Sequence, residues 1–378
     1  KIVCQSDLYG GCFRLTWEIF PRYYPSVESF PRQALRQTRI GCELKVTRSV
    51  GMTISNERLK GKTHLTKLAV SAVVTSTATK TGWLEAEFNT LRLASSRILA
   101  WSEFGCPDGL PVLFFHSNGS SRLEACLFHQ QARLSGLRLI AVDRPGIGKS
   151  EFCFSNTPEP FAHDLVELLD HLALTSVSTL TLGHGAVYAL ALAQLDPARI
   201  KGQISLGAIP CGPLLTLRGA NGLRPWMNRG VATLVRHGWT LRELLDRKTT
   251  GNYIDTLRRE LCKYDRRALN SSELRRILVL DRREALSQGS RGVAQDESMG
   301  FAPFDYQLAK LTLDVDFWQG RGDDERVGRS SVLLAQQLPK GRAHIVTRQG
   351  YFFFLEHATQ ILNRCSSIRL VQPASIAA

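Results

Sequence analysis

From about Leu91 to Cys365 the chain alternates short apolar segments with longer amphipathic ones, and this alternation constrains the fold more than any other feature. Pro111–Phe115 and Leu137–Val142 have the length and apolar character of strands, whereas the segment between them has the spacing of a helix. Strands that are apolar throughout are buried on both faces, which is typical of a parallel sheet with helices on both sides. The sequence therefore predicts a doubly wound, mostly parallel α/β sheet, with strands near 97–102, 111–115, 137–142, 179–182, 203–208, 315–318 and 344–347, and helices near 121–134, 160–172, 186–195 and 352–362.

Residues 1–88 lack this regularity. They show no sustained period of about 2 or about 3.6 residues, and they mix isolated aromatic side chains with basic stretches that contain few acids. We expect them to form an irregular N-terminal extension that is poorly ordered or artefactual. The Lys-, Thr- and Ser-rich run after Met52 also has the composition of an organelle-targeting segment, which is the alternative interpretation.

A helical insertion rich in Arg and Leu separates the strand near 203–208 from the strand near 315–318. Its segments 236–246, 253–263 and 272–280 carry apolar residues at helical spacing. An insertion of this kind is expected to cover the carboxyl edge of the sheet as a lid. We therefore divide the chain into the extension (1–88), a first core part (89–214), a helical cap (215–305), a second core part (306–369) and a tail (370–378).

The composition disfavours several classes of protein. The nine cysteines are scattered and never spaced as C-x-x-C, which argues against a disulfide framework and a metal site and favours free thiols in a reducing, cytoplasmic compartment. No apolar run approaches the ~20 residues of a membrane-spanning helix. The net charge of +14 comes without any nucleic-acid-binding motif, so we expect no specific nucleic-acid partner. The loop Gly146–Ser150 lacks the first glycine of a phosphate-binding loop, and we expect no cofactor.

Five motifs stand in an order that resembles the α/β-hydrolase family, over about three quarters of the chain. One of them reads D-R-P-G-x-G-x-S, and another is a sharp turn between a strand and a helix. The segment Ser287–Ala294 is similar to a block of the fungal-type branch of the AB hydrolase-1 group. The resemblance implies an α/β-hydrolase fold with a cap. The five motifs are Phe114–Arg122, Asp143–Ser150, Thr179–Leu190, Val315–Asp324 and Arg348–His357.

The first two motifs are loops at strand ends. In the family, backbone N–H groups of the first loop receive the developing negative charge of acyl transfer, and the resemblance assigns this role to His116, Ser117 and Asn118. Ser117 replaces a glycine of the family pattern. The loop Asp143–Ser150 has a structural role in the family, and its glycines are expected at positive φ.

The third motif resembles the turn that carries the nucleophile. The pattern G-x-S-x-G falls on Gly183–Val187, which puts Gly185 at the serine position and Ala186 after it. A longer form of the family motif aligns only if two residues are missing here, and no Ser, Cys or Asp lies between Gly183 and Leu190. His184 is the polar side chain of the turn, and we expect it to pack or to form a hydrogen bond.

The last two motifs resemble the turns that carry the acid and the histidine of the triad. The acid falls on Asp323 when counted from Gly320, or on Asp324 when counted back from Val327. Tyr351 stands at the histidine position, and a phenol with an ordinary pKa near 10 is a poor general base at neutral pH.

Loss of the nucleophile alone costs about a millionfold in turnover in a serine hydrolase. The resemblance therefore implies a homologue with little or no serine-hydrolase activity that retains a pocket for a small apolar or ester-like molecule. One alternative is an active, esterase-like or lipase-like hydrolase with a displaced nucleophile, Ser117 or Ser120, or with a sequence error at the turn. A second alternative is a non-enzymatic protein whose basic cap binds an acidic partner.

Overall fold

The computed structural model describes residues 87–208, 253–299, 306–322 and 331–368, and the strands in these ranges form one eight-stranded sheet. The spatial order is β1-β2-β4-β3-β5-β6-β7-β8. The pairs β1/β2 and β2/β4 are antiparallel, and every other neighbouring pair is parallel. The strands are β1 (Asn89–Arg92), β2 (Ile98–Gly105), β3 (Leu110–Phe115), β4 (Leu137–Val142), β5 (Val177–Leu182), β6 (Ile200–Leu206), β7 (Asp314–Gly322) and β8 (Gly341–Thr347).

Helices connect the strands and cover both faces of the sheet. A 3-10 helix at Arg122–Phe128 leads directly into the first α-helix, and another at Tyr351–Phe353 leads into the last. A third 3-10 helix lies at Leu308–Lys310, and residues 331–335 are helical. The α-helices of the described ranges include α1 (His129–Leu134), α2 (Glu159–His171), α3 (Gly185–Leu195), α4 (Tyr253–Glu260), α5 (Lys263–Ala268), α6 (Ser272–Ala285), α7 (Arg291–Met299) and α8 (Phe354–Ser367).

Strand β3 explains why the core has two halves. Successive side chains of a strand point to opposite faces, so an apolar strand feeds both. Leu113 and Phe115 pack with α2 and α3 on one face, whereas Val112 and Phe114 pack with α1 and α8 on the other. This arrangement confirms the doubly wound, mostly parallel α/β sheet.

The element bounds differ from the predicted ones mainly where polar residues continue a strand. Strand β4 has the predicted bounds, but β7 extends from the predicted 315–318 to Asp314–Gly322 because its polar end pairs with β8. The predicted helix at 121–134 begins as a 3-10 helix, with the Ser121 hydroxyl accepting from the N–H of Leu123. Strand β1 was not predicted, since its four residues are mostly exposed and lack an apolar pattern.

Several predictions fall outside the described residues, namely the extension up to residue 86, the helix at 236–246 and the tail at 370–378. All five cysteines in the described ranges are free thiols, as predicted. None of the helices in these ranges has the length and apolar character needed to cross a bilayer.

Candidate active site

The carboxyl ends of β3, β4 and β5 bring three of the family-like motifs to one edge of the sheet. Neighbouring parallel strands end at the same edge, and ligands of open α/β sheets bind in crevices outside that edge. The loops that leave it begin at His116, Asp143 and Gly183. The candidate site is therefore built from residues far apart in the sequence.

The loop after β4 is fastened by a buried carboxylate. Asp143 accepts hydrogen bonds from the Arg122 N–H at 2.8 Å, from the Arg122 guanidinium at 2.6 Å and from the Lys149 N–H at 2.9 Å. Burial raises the pKa of Asp143, and the charge of Arg122 opposes that rise. Gly146 and Gly148 have φ of 77° and 55°, which confirms their predicted conformation.

Arg144 joins this loop to the loop after β3 and to the insertion. Its buried guanidinium donates to the carbonyl oxygens of His116 at 2.7 Å and Ser117 at 2.9 Å, and to the Asp296 carboxylate of α7 at 2.7 Å. The Tyr188 hydroxyl donates to the other oxygen of Asp296 at 2.8 Å. Sequence reasoning missed Tyr188 and Asp296, because their signal is only a polar group inside an otherwise apolar helical stretch.

The turn after β5 carries no side chain at either glycine. Gly183 has φ of 52°, and a Cβ built on it would lie 3.5 Å from the Cβ of Ser117, an ordinary contact. Gly185 is already the first residue of α3, and a Cβ there would lie 2.6 Å from the carbonyl oxygen of Phe115. Ala186 is buried in the core behind the turn. The turn therefore has room for a side chain at Gly183 and none at Gly185.

His184 lies between these glycines and binds the loop after β3. Its Nδ1 is 2.5 Å from Nδ2 of Asn118. Burial lowers the pKa of His184 to about 4, with Asp296 opposing and Arg144 adding to the shift. The imidazole is therefore neutral at pH 7 and can accept the amide N–H, as the expected hydrogen-bonding role requires. The Oδ1 of Asn118 is buried without a hydrogen-bond partner among the described residues.

His116 is fully buried and turns its ring inward. Its Nδ1 lies 2.9 Å from the carbonyl oxygen of Ser117, which makes Nδ1 the protonated nitrogen. Burial, together with the charges of Arg144 and Arg122, lowers the pKa of His116 well below its ordinary value. A neutral imidazole in this position supports the loop.

Ser117 is held at two points by Glu124 from the 3-10 helix. The Ser117 N–H donates to one carboxylate oxygen at 2.6 Å and the Ser117 hydroxyl to the other at 2.7 Å. The Ser120 hydroxyl lies 3.1 Å from that of Ser117. Burial raises the pKa of Glu124, and the hydrogen bonds from Ser117 oppose the rise. Glu124 is a site residue that the motif comparison did not reveal.

Tyr351 points from the last turn toward the same loop. Its hydroxyl is buried without a hydrogen-bond partner of good geometry, although Ser117 is close enough to act on its pKa. Burial, followed by the negative charge of Glu124, raises the pKa of Tyr351 well above 10. The structure thus brings together Tyr351 and Ser117, which are 234 residues apart in the sequence.

Two acids of the insertion hold it against these loops. Asp281 of α6 accepts from the N–H of Ser121 at 2.8 Å and from its hydroxyl at 2.6 Å. Burial, followed by the charge of Glu124, raises the pKa of Asp281 to about 8. Asp265 of α5 accepts from the N–H groups of Tyr351 and Phe352, both at 2.8 Å.

Asp323 and Asp324, the alternative acid positions, lie outside the described residues, which on that side end at Gly322 of β7. Within the described ranges, no group of three or more His, Cys, Asp and Glu side chains is arranged to hold a metal ion. The described part of the site therefore consists of hydroxyls, carboxyls, amides, guanidinium groups and neutral imidazoles.

Comparison with known proteins identifies a matching family and several similar proteins. The model of the alpha/beta hydrolase family matches residues 112–363. A proline iminopeptidase from Neisseria meningitidis is 26% identical over 157 residues, which is 39% of this chain and 47% of that protein. A proline iminopeptidase from Arabidopsis thaliana is 25% identical over 218 residues, 55% of this chain and 51% of that protein. The chain thus spans about half the length of these curated relatives.

Solved structures resemble the described fold over most of their length. A thermophilic esterase from Thermogutta terrifontis matches with a TM-score of 0.53 at 20% identity, covering 74% of this chain and 96% of that one. A bromoperoxidase from Bacillus anthracis matches with a TM-score of 0.55 at 18% identity, covering 74% and 97%. At such identities the likeness establishes the fold alone.

Proposed function

Because the chain belongs to the α/β-hydrolase family, we propose that it keeps the scaffold but has lost ester hydrolysis by a serine, a histidine and an acid acting together. The observation that carries the proposal is the turn after β5, which has glycine at both Gly183 and Gly185. In acyl transfer the nucleophile, the base and the acid act as a unit, and loss of the nucleophile removes most of the acceleration.

The histidine position supports the same conclusion. A general base works best when its pKa lies near the working pH. Burial and the neighbouring Glu124 raise the pKa of Tyr351 far above that range, so the phenol stays protonated and cannot accept a proton from a hydroxyl. Without a histidine at position 351, an acid at Asp323 or Asp324 would lack the partner that the family mechanism requires.

The experiment compares turnover of short p-nitrophenyl esters by the wild-type protein and by the variants Asp323→Ala and Asp324→Ala. We expect all three to share the same low rate, because a triad acid matters only when it holds a histidine. A rate that falls about tenfold or more in either variant would contradict the proposal. Sequencing the transcript across residues 180–190 tests the alternative of a sequence error, and a restored G-x-S-x-G there would likewise contradict it.

The binding of a small ester-like molecule is the positive part of the proposal. Buried polar groups in proteins nearly always have hydrogen-bond partners. The Tyr351 hydroxyl, buried and unpartnered beside Ser117, is available to donate to a carbonyl oxygen. Binding of an uncharged short ester, followed by isothermal calorimetry, should weaken about fivefold in Tyr351→Phe, since one hydrogen bond contributes about 1 kcal/mol.

A second candidate function rests on a groove in the insertion, between α4 and α6. The groove has a volume of about 780 Å³ and contains four arginines beside Ile254, Val279 and Leu280. Acidic segments with apolar side chains match this lining. Binding of poly-L-glutamate that weakens steeply with salt and is lost in the double variant Arg276→Ala, Arg283→Ala would support an interaction role, whereas salt-independent or absent binding would exclude it. The four arginines are Arg258, Arg275, Arg276 and Arg283.

A further inference from the structure

We propose that Ser117, Glu124 and Tyr351 form a nucleophilic unit beside the turn, and that slow hydrolysis of short esters proceeds through an acyl group on Ser117. The inference rests on the proposed function, because it assigns the low remaining activity to a serine outside the family motif. It names Glu124 as the proton acceptor and Tyr351 as a hydrogen-bond donor to the substrate.

Ser117 is the serine of this loop that is both partly exposed to solvent and hydrogen-bonded to a carboxylate that can act as a base. Its residue is partly exposed, whereas Ser120 and Ser121 are buried. The hydroxyl of Ser121 is engaged with Asp281 and with the N–H of Leu123. The hydroxyl of Ser117 instead donates to a carboxylate that its own N–H also fixes, so the acceptor stands in one orientation. Nucleophile and base within hydrogen-bond reach are the signature of an activated hydroxyl.

The position of Ser117 matches the edge where acyl chemistry is expected. A Cβ built on Gly183 would lie 3.5 Å from the Cβ of Ser117, so the Ser117 side chain lies directly beside the turn. The first N–H groups of α3 start at this turn, at Gly185, and the first four N–H groups of a helix have no partner within it. A helix N-terminus stabilises nearby negative charge, as an oxyanion requires.

Tyr351 supplies a donor that stays protonated. Its hydroxyl is buried and lacks a hydrogen-bond partner of good geometry. Burial, followed by the charge of Glu124, raises the pKa of this hydroxyl well above 10. A neutral phenol cannot act as the base here, but it can donate to the oxygen of a bound ester. The Glu124 carboxylate therefore accepts the proton, and the Tyr351 phenol stabilises the negative charge that develops on the ester oxygen.

The reaction balances with water as the co-reactant. The Ser117 Oγ bonds to the ester carbonyl carbon while its proton passes to the Glu124 carboxylate, and the carbonyl electron pair moves onto oxygen. Collapse of this intermediate breaks the bond to the alkoxy group, which leaves as the alcohol with the proton from Glu124. Water then attacks the acyl group as Glu124 takes its proton, and the carboxylic acid leaves as Ser117 regains a proton.

The test labels the full-length protein with a fluorophosphonate and maps the modified residue by mass spectrometry. We expect slow modification of Ser117, loss of that modification in Ser117→Ala, and no change in Ser135→Ala, whose hydroxyl bonds Asn363 far from the site. Glu124→Gln should slow labelling and ester turnover by about 10²-fold or more. The matched control Glu103→Gln, in a carboxyl that pairs with Arg138, should leave both unchanged.

The pH profile separates a base from a structural carboxyl. With Glu124 present, the labelling rate should rise as the carboxyl ionises, at a pH above the ordinary range for Glu because burial raises its pKa. This rise should vanish in Glu124→Gln and persist in Glu124→Asp, which keeps a carboxyl and guards against misfolding of the amide variant. Modification of another serine, or an unchanged rate and profile in both Glu124 variants, would overturn the inference. A rate that depends on Asp323 would instead overturn the proposed function.

Discussion

The loop Asp143–Ser150 and the turn Gly183–Gly185 lie at the same edge of one sheet but differ in how many of the family-like side chains they carry. In the loop, the family-like residues are present and each charged group meets a partner, as Asp143 does with Arg122 and Arg144 with Asp296. In the turn, Gly185, which the motif places at the nucleophile position, carries no side chain. Loss of a buried charge partner destabilises the fold, whereas loss of a nucleophile affects only a transition state. Under the proposed function, the scaffold can therefore persist without the chemistry.

The strongest way to break this comparison is the variant Arg144→Met. We expect a loss of about 3–5 kcal/mol in the free energy of unfolding, because the buried Asp296 would lose its cation and two carbonyl oxygens would lose donors. Urea denaturation measures the change. Arg199→Met, which removes ion pairs with the largely exposed Asp170 and with Asp196, each within reach of solvent, should cost about 1 kcal/mol or less. Equal losses in the two variants would mean that the Arg144 contacts contribute no more to stability than the more exposed ion pairs of Arg199.

A smaller effect separates the two glycines of the turn. Gly185→Ser should destabilise by about 1–3 kcal/mol, since the new Cβ would press on the Phe115 backbone. Gly183→Ser has room and should cost about 1–2 kcal/mol, from its left-handed conformation alone. The same denaturation assay ranks them. A well-folded Gly185→Ser variant that a fluorophosphonate modifies at position 185, in addition to any modification of Ser117, would show that Gly185 stands at a working nucleophile position.

The pH dependence of stability sharpens the comparison further. Asp281 has a pKa of about 8 in the folded protein against about 3.9 in an unfolded chain, so between these values the folded state holds a proton that the unfolded state releases. Stability from this group is therefore full at low pH and falls as pH rises toward 8, by up to about 1.4 kcal/mol per pH unit. Asp281→Asn keeps an acceptor for Ser121 but cannot ionise. The difference between its unfolding free energy and that of the wild type should therefore shift in favour of the variant as pH rises from 5 to 7.

Asp316 provides the control of opposite sign. Burial opposes its ionisation, but hydrogen bonds from His344, Arg342 and Arg364 lower its pKa below the ordinary value. Its contribution to stability is present above the unfolded pKa and is lost as pH falls. Asp316→Asn should therefore lose most relative to the wild type near neutral pH and least in acid, and parallel pH profiles for the two Asn variants would contradict both assignments.

The smallest effect is expected at Tyr351, with Tyr188 as its comparison. Tyr188→Phe should cost about 1–3 kcal/mol because it removes the hydrogen bond to the buried Asp296. Tyr351→Phe should change the unfolding free energy by less than about 0.5 kcal/mol, or raise it, since the lost hydroxyl has no partner. Thermal unfolding of both variants checks the pair. Equal destabilisation would show that the Tyr351 hydroxyl is part of the structural network.

The sequence predicted the scaffold well because apolar runs report burial directly. Strand β4 is apolar over its full length and was placed with its observed bounds, whereas β1, short and exposed, leaves no such pattern. The site was predictable only where a residue belongs to a motif. Glu124 and Asp281 lie in helical segments whose spacing gives no indication that the two meet around Ser120 and Ser121, since that encounter depends on how α6 packs on the 3-10 helix.

The carboxylate of Asp265 has a consequence for how the chain can be divided. It belongs to the insertion, yet it is the acceptor for two N–H groups at the entry to the C-terminal helix α8. A shortened chain that joined β6 directly to β7 would leave those donors buried with nothing to receive them. The inserted segment thus stabilises the final turn of the core, and removing it to obtain a minimal domain would destabilise the start of α8.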